Sequence, residues 1–154
     1  MNATMILNRA EELREELIET RRTLHSYAET GFDLPQTTAF VEKKLREYGL
    51  TPVRCGKAGI TCVIGDPQKG KCFLLRGDMD ALPMTEESGL PFAAQNGHCH
   101  SCGHDTHTAM LLAAARLLSE HAEELPGCVK LMFQPAEELL AGAKDMIEHG
   151  LLEN

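Results

Sequence analysis

One short stretch of the chain is unusually rich in side chains that bind metal ions. Residues 98–107 hold four histidines, two cysteines and one aspartate. Within this stretch, Gly103 separates Cys102 from His104 and permits an unusual backbone, so that a thiolate and an imidazole can point to the same side of a tight loop. Zinc, manganese or cobalt would accept sulfur and nitrogen donors in this arrangement. The stretch therefore predicts a metal site.

Two adjacent carboxylates lie downstream, at the end of an apolar run. Glu137 and Glu138 follow a strand that we predict over residues 128–133. Side chains that succeed each other after a strand diverge, so one of the two can bind a metal ion while the other lies over a bound water. A base beside water acidified by a metal is the core of metal-dependent hydrolysis. Together the two motifs predict a metallohydrolase.

Other polar residues in these segments have more than one interpretation. Asp78 and Asp80 occupy alternate positions after a strand, which suits a carboxylate that orients a metal ligand but also suits a turn. Cys99 and Cys102 could instead be half of a structural zinc site or a redox pair, although the chain has no second Cys-x-x-Cys. From its local context, His25 is predicted to be a surface or packing residue of a helix.

Composition limits the class of protein. The chain has 154 residues, a hydrophobic fraction of 43% and a net charge of −8, with no cluster of lysine and arginine. This balance is ordinary for one globular domain and disfavours nucleic acid or a membrane as partners. The acidic and basic residues near the N-terminus do not read as a signal peptide, and the irregular spacing of the six cysteines indicates a reducing, cytoplasmic compartment.

Apolar spacing predicts the elements that position the motifs. Helical periodicity predicts one amphipathic helix over residues 4–27 and another over 36–48. Asp105 is predicted to cap a strongly apolar helix, and a last helix is expected over 141–149. Short runs rich in β-branched and apolar residues predict strands over 51–54, 59–64, 71–76 and 128–133.

This order of elements predicts an α/β fold. We expect a three-layer sandwich with a mixed, mostly parallel sheet that is covered by helices on both faces. In such sheets ligands gather beyond the carboxyl ends of the strands, where the aspartates and the glutamate pair are expected to lie.

Several longer segments together resemble a known family, the aminoacylase and hippurate-hydrolase family of co-catalytic metallopeptidases. The likeness is to the branch with N-acyl-amino-acid amidohydrolases and auxin-conjugate hydrolases. It covers nearly the whole chain and rests on residues 21–25, 29–32, 76–83, 100–107, 133–138 and 142–147.

The resemblance implies a zinc-peptidase-like fold and a centre with two divalent metal ions, which could be zinc, manganese, cobalt or nickel. In that centre Cys102 bridges the two metal ions, and His104 and Glu138 are further ligands. Glu137 is the general base, and Asp80 orients the ligands without binding a metal ion itself. The implied reaction is hydrolysis of the amide bond in small N-acyl amino acids or related conjugates, with the metals polarising the carbonyl.

Members of that family are considerably longer than this chain. The resemblance therefore implies that residues 1–154 are the N-terminal part of a catalytic metal-binding domain, without the lid or dimerisation domain and the C-terminal catalytic part. Activity is expected for the intact parent and is expected to be weak or absent here, and an uncovered sheet edge could favour a homo-oligomer. The alternatives are a truncated, non-catalytic metal-binding or interaction module and a small structural-zinc or redox protein that uses Cys99 and Cys102.

Overall fold

The computed structural model describes residues 2–153. In this part of the chain five α-helices form, mostly where apolar residues recur at helical spacing. Their bounds are α1 Ala3–Glu12, α2 Arg14–Tyr27, α3 Pro35–Glu47, α4 His104–Ser119 and α5 Gly142–Glu148. A short 3₁₀ helix, Ala122–Glu124, follows α4.

The N-terminal helical region differs from its prediction, because it consists of two helices instead of one. The break falls at Leu13, whose backbone N–H is shared between the carbonyl oxygens of Arg9 and Ala10. The Leu13 side chain is buried, whereas α1 itself contains no buried residue. The bend thus lets α2 follow the core while α1 stays on the surface.

The start of α4 also differs from its prediction. Gly103, in the left-handed conformation with φ 80°, precedes the first helical residue, His104. Glycine adopts this conformation without the steric cost that a Cβ brings. Asp105 therefore lies inside the first turn and does not cap the helix, and its carboxylate is free to contact other elements.

Four strands form one mixed sheet within residues 2–153, as expected for an α/β fold. They are β1 Val53–Cys55, β2 Gly59–Gly65, β3 Cys72–Asp78 and β4 Cys128–Gln134, in the order β1-β2-β4-β3. Only β3 and β4 are parallel, while β1 with β2 and β2 with β4 are antiparallel. The sheet in this part of the chain is mixed, as predicted, but it is not mostly parallel, since only one of its three strand pairings is parallel.

Helices cover both faces of the sheet, as predicted. On one face α2, α3 and α4 pack against β2 and β4 in the main core, whose largest fully buried side chains include Leu24, Leu45, Ile60, Leu112 and Phe133. On the other face Met132 of β4 packs with Met146 of α5. Alternation of side chains along β4 explains why Met132 and Phe133 face opposite layers.

Strand β3 lies at the edge of the sheet and exposes apolar side chains. Phe73 is 65% exposed, and Leu74 and Leu75 are also exposed. An apolar edge strand of this kind can pair with another chain or segment.

The helices within residues 2–153 include none with the length and hydrophobicity that a membrane span requires.

Candidate metal centre

The neighbouring strands β3 and β4 bring the two acidic motifs to the same edge of the sheet. Because these strands are parallel and Asp78 pairs with Gln134, their carboxyl ends meet. Beyond β4 the chain turns at Ala136, which has a positive φ of 49° and whose carbonyl accepts the N–H of Gly142 at 3.1 Å. A Cβ at Gly142 would lie only 1.6 Å from the Pro135 carbonyl oxygen, so this tight turn needs glycine.

Asp80 joins the three segments of the site. Its carboxylate is fully buried, and its two oxygens accept the backbone N–H groups of Glu137 at 3.0 Å and Glu138 at 3.1 Å. Its backbone carbonyl accepts a hydrogen bond from Nδ1 of His104 at 2.7 Å. This residue therefore sets the position of the glutamate pair and the orientation of the imidazole.

The second ring nitrogen of His104 faces both glutamates. Its Nε2 lies 3.7 Å from Oε2 of Glu137 and 3.9 Å from Oε1 of Glu138. One potential ligand atom from each of these three residues lies within 4.8 Å of the others. With Nδ1 donating to Asp80, Nε2 is the nitrogen that can bind a metal ion, which is the arrangement common to histidine ligands.

Cys102 contacts the same pair through its thiol. The hydrogen bond with the Glu138 carboxylate raises the pKa of the Cys102 thiol, and the charges of Glu137 and Asp80 act in the same direction. Cys102 lies outside the cluster of ligand atoms within 4.8 Å of one another, and its side chain is exposed. The structure thus clusters His104 with the two glutamates, places Asp80 against their backbone, and places Cys102 beside Glu138 at the edge of the cluster.

The donor set fits a divalent metal ion. Oε1 of Glu138 is buried and has no hydrogen-bond partner, and it lies on the side that faces His104. A buried carboxylate oxygen without a partner is costly unless a cation or a donor reaches it. A thiol, an imidazole nitrogen and carboxylate oxygens together suit zinc and related ions.

Asp78 does not share the position of Asp80. One of its carboxylate oxygens accepts the Arg76 Nε–H at 2.7 Å, and the other lies 3.2 Å from Nδ1 of His107. Atoms of Asp78, His104 and His107 also lie within 4.8 Å of one another. Because Arg76 already neutralises Asp78, the donor set around Glu137 and Glu138 is the better cation site.

The sequence analysis did not predict a cluster of four ionisable side chains next to this site. His25 is buried, and its ring nitrogens lie 2.7 Å from Asp105 and 2.9 Å from Glu86. The ring thus lies between two carboxylates, and Nη2 of Arg21 also lies 3.3 Å from its Nδ1. Arg21 forms an ion pair with Asp105 at 2.7 Å. His25 packs on α2, edge-on against Phe92, which is one of the two alternatives that we predicted. Its contacts with carboxylates were not predicted, although its spacing of four from Arg21 was a usable signal.

This ionic cluster, formed by Arg21, His25, Glu86 and Asp105, holds an irregular loop beside the site. Burial opposes ionisation of Glu86, but hydrogen bonds from His25, Ser88 and the backbone of Ala94 lower its pKa to about 2. The carboxylate thus stays charged and ties the loop to α2. On the α4 side, Asp105 directly follows the candidate ligand His104.

We expect the free energy of unfolding of the metal-free chain to fall as pH rises between about 6.5 and 9. Hydrogen bonds with Asp80 raise the pKa of His104 from 6.5 to about 9. The folded state therefore prefers protonated His104, and this stabilisation is complete below pH 6.5 and lost as pH rises through about 9. Urea unfolding with a chelator, at both ends of this range, measures the effect.

The matched variant for this experiment is His104→Gln, which keeps a polar side chain but cannot titrate. Its stability should change less with pH than that of the unmodified chain. An equal pH dependence in the two proteins would contradict the assignment to His104.

The chain is similar in sequence to several characterised hydrolases. N-acetyl-L-cysteine deacetylase of Bacillus subtilis (strain 168) is 46% identical over 144 residues, which cover 92% of this chain and 34% of that protein. Hippurate hydrolase of Campylobacter jejuni is 42% identical over 144 residues, which cover 92% of this chain and 37% of that protein. The chain thus spans about a third of the length of these curated relatives.

A solved structure shares the fold. The YXEP protein of Bacillus subtilis, described as a dinuclear metal binding peptidase from the M20 family, superposes with a TM-score of 0.88 at 38% identity. The match covers 93% of this chain and 41% of that one. The model for peptidase family M20/M25/M40 matches residues 74–154, which include the whole candidate metal centre. Since this match spans more than half of its length, the chain belongs to peptidase family M20/M25/M40.

Proposed function

We propose that the chain supplies part of a two-metal centre that hydrolyses the amide bond of N-acyl amino acids or related small conjugates. The main support is a pair of hydrogen bonds, in which the backbone N–H groups of Glu137 and Glu138 donate to the buried carboxylate of Asp80. These bonds hold both glutamate carboxylates opposite His104. The relatives support the substrate class, since they include an N-acetyl-L-cysteine deacetylase and a hippurate hydrolase.

The unequal environments of the two glutamates support different roles. Glu138 is the more buried, with a side chain 20% exposed and one oxygen without a partner, whereas the Glu137 side chain is 34% exposed. We assign Glu138 as a ligand together with Cys102 and His104. Divalent ions bound there would acidify water and polarise the substrate carbonyl.

Glu137 is then the general base. Its partly exposed carboxylate can take a proton from the attacking water and deliver it to the nitrogen of the leaving amino acid. Asp80 keeps the backbone of Glu137 fixed while the carboxylate gains and loses this proton. This hydrogen bond to buried Asp80 thus restricts the base to the side of the site that His104 faces.

The remaining parts of the proposal concern the whole protein. We place residues 1–154 in the N-terminal part of the catalytic domain and expect hydrolysis to need further parts of that domain. Zinc, manganese, cobalt and nickel are the candidate metals, and the cytoplasm is the proposed compartment. The proposed partner is a small substrate, not nucleic acid or a membrane. The exposed apolar strand β3 supports self-association.

Metal titration of paired variants tests the proposal. Glu138→Gln should weaken zinc or cobalt binding more than about tenfold, whereas Glu137→Gln should leave it nearly unchanged, because only Glu138 is assigned as a ligand. Any hydrolysis of N-acetyl-cysteine or hippurate by the metal-loaded chain should fall about 10²–10⁴-fold in Glu137→Gln. Calorimetry and product detection supply the two measurements.

The control variant is Cys99→Ala. It should leave metal affinity unchanged, because the Cys99 thiol accepts the Ser101 hydroxyl at 3.1 Å and is not one of the assigned ligands. Loss of binding in Cys99→Ala would favour a structural-zinc site on Cys99 and Cys102. Equal metal affinity in the two glutamate variants would contradict the division of roles.

A further inference from the structure

Two cysteines lie together at the end of the sheet that is opposite the candidate metal centre. Cys72 begins β3 and Cys128 begins β4, and the two are direct partners in the parallel ladder. The backbone N–H of Cys128 donates to the Lys71 carbonyl at 3.0 Å, which fixes this register at its first residue. Neighbouring strands lie about 4.8 Å apart, within the Cα separation of about 4.4–6.8 Å that disulfides allow.

The two thiols share a face of the sheet but differ in access to solvent. Cys72 is exposed on the edge strand, whereas Cys128 is 3% exposed. Burial and the contact with the Cys72 thiol raise the pKa of Cys128 to about 11. The thiolate is the nucleophile in disulfide exchange, so the exposed Cys72 should react first.

We propose that Cys72 and Cys128 form a cross-strand dithiol that closes to a disulfide by exchange with a small-molecule disulfide such as oxidised glutathione. The Cys72 thiolate attacks one sulfur of that disulfide, forms a mixed disulfide and releases one small thiol. The Cys128 thiol then loses its proton to solvent and attacks Sγ of Cys72, which releases the second small thiol. Two protein thiols and one small disulfide thus yield one protein disulfide and two small thiols.

The location gives the bond a structural consequence. It would join β3, which has a strand partner on one side only among the described residues, covalently to the central strand β4. Because Cys72 lies on the exposed edge strand, small thiols can reach the bond, so the site should respond reversibly to the ratio of small disulfide to thiol.

Mass spectrometry after trypsin digestion tests the proposal. Cleavage places Cys72 in the peptide 72–76 and Cys128 in the peptide 117–130, neither of which contains another cysteine. After incubation with oxidised glutathione and alkylation of free thiols, we expect these two peptides to be joined, without glutathione attached. Excess reduced glutathione should separate them again.

Two single variants separate exchange at this pair from ordinary surface oxidation. Cys128→Ser should stop at the mixed disulfide and retain glutathione on Cys72, because the second nucleophile is missing. Cys72→Ser should leave Cys128 unmodified, because that thiol is buried. A stable glutathione adduct on Cys72 in the unmodified chain, or a disulfide that joins other cysteines while Cys72 and Cys128 stay free, would overturn the proposal. Neither outcome depends on metal binding or hydrolysis.

Discussion

Replacing Asp80 with asparagine is expected to lower the free energy of unfolding by about 3 kcal/mol and to weaken metal binding at least about tenfold. Both oxygens of the buried Asp80 carboxylate accept backbone N–H groups, from Glu137 and Glu138. Asparagine offers one acceptor oxygen, so its amino group would face one of these donors. The glutamate pair would then shift away from His104. Urea unfolding and calorimetric metal titration measure the two effects.

Asp66→Asn is the matched control for this change. Asp66 lies in a surface turn, where one carboxylate oxygen accepts the backbone N–H of Gln68 at 2.8 Å. Asparagine can make the same bond, so stability and metal affinity should remain close to those of the unmodified chain. If the two variants behaved alike, Asp80 would not be the residue that organises the site.

The candidate ligands could be predicted from the sequence because their chemistry is local. Cys102 and His104 are separated by one glycine, and Glu137 and Glu138 are adjacent, so spacing alone placed each pair on one short segment. The glutamate pair follows a predicted strand, and Cys102 and His104 precede a predicted helix. Ligands in α/β sheets gather at the carboxyl ends of the strands, so the two segments could be expected to meet there. The contact between the Cys102 thiol and Glu138 is the structural counterpart of that prediction.

Strand order and strand direction could not be predicted in this way. The apolar run of β4 fits a central strand of either direction, and nothing local to it shows that it lies between β2 and β3. Its direction follows from the path of the chain through α4, which packs against β3 and the main core. The sheet is mixed as predicted but not mostly parallel, because β1 and β2 follow each other through a short turn, which makes that pair antiparallel, and β2 also pairs antiparallel with β4.

Long-range ion pairs were the other part that spacing could not show. His25 and Asp105 are 80 positions apart, and His25 and Glu86 are 61 apart. Each looks like an ordinary surface residue in its own segment, since charged side chains are usually exposed. Only the packing of α2 against α4 brings His25 to Asp105, and only the path of the irregular loop before α4 brings Glu86 to His25.

Asp105→Ala is expected to destabilise the chain by about 3–5 kcal/mol, because it leaves the guanidinium of Arg21 and a ring nitrogen of His25 without their buried partner. Metal affinity should fall with it, since Asp105 holds the first turn of α4 and His104 is the first residue of that helix. Urea unfolding measures the first effect and calorimetric titration with cobalt the second.

Glu19→Ala is the comparison for that variant. It removes an exposed ion pair with Arg22 on α2 and should change stability and metal affinity little, because surface pairs contribute little to folding. A loss of stability in Asp105→Ala with unchanged metal affinity would show that the cluster supports the fold but does not position His104. If both stability and metal affinity fell in Asp105→Ala, the ionic cluster behind the candidate centre would be needed to position His104, in addition to the ligands themselves.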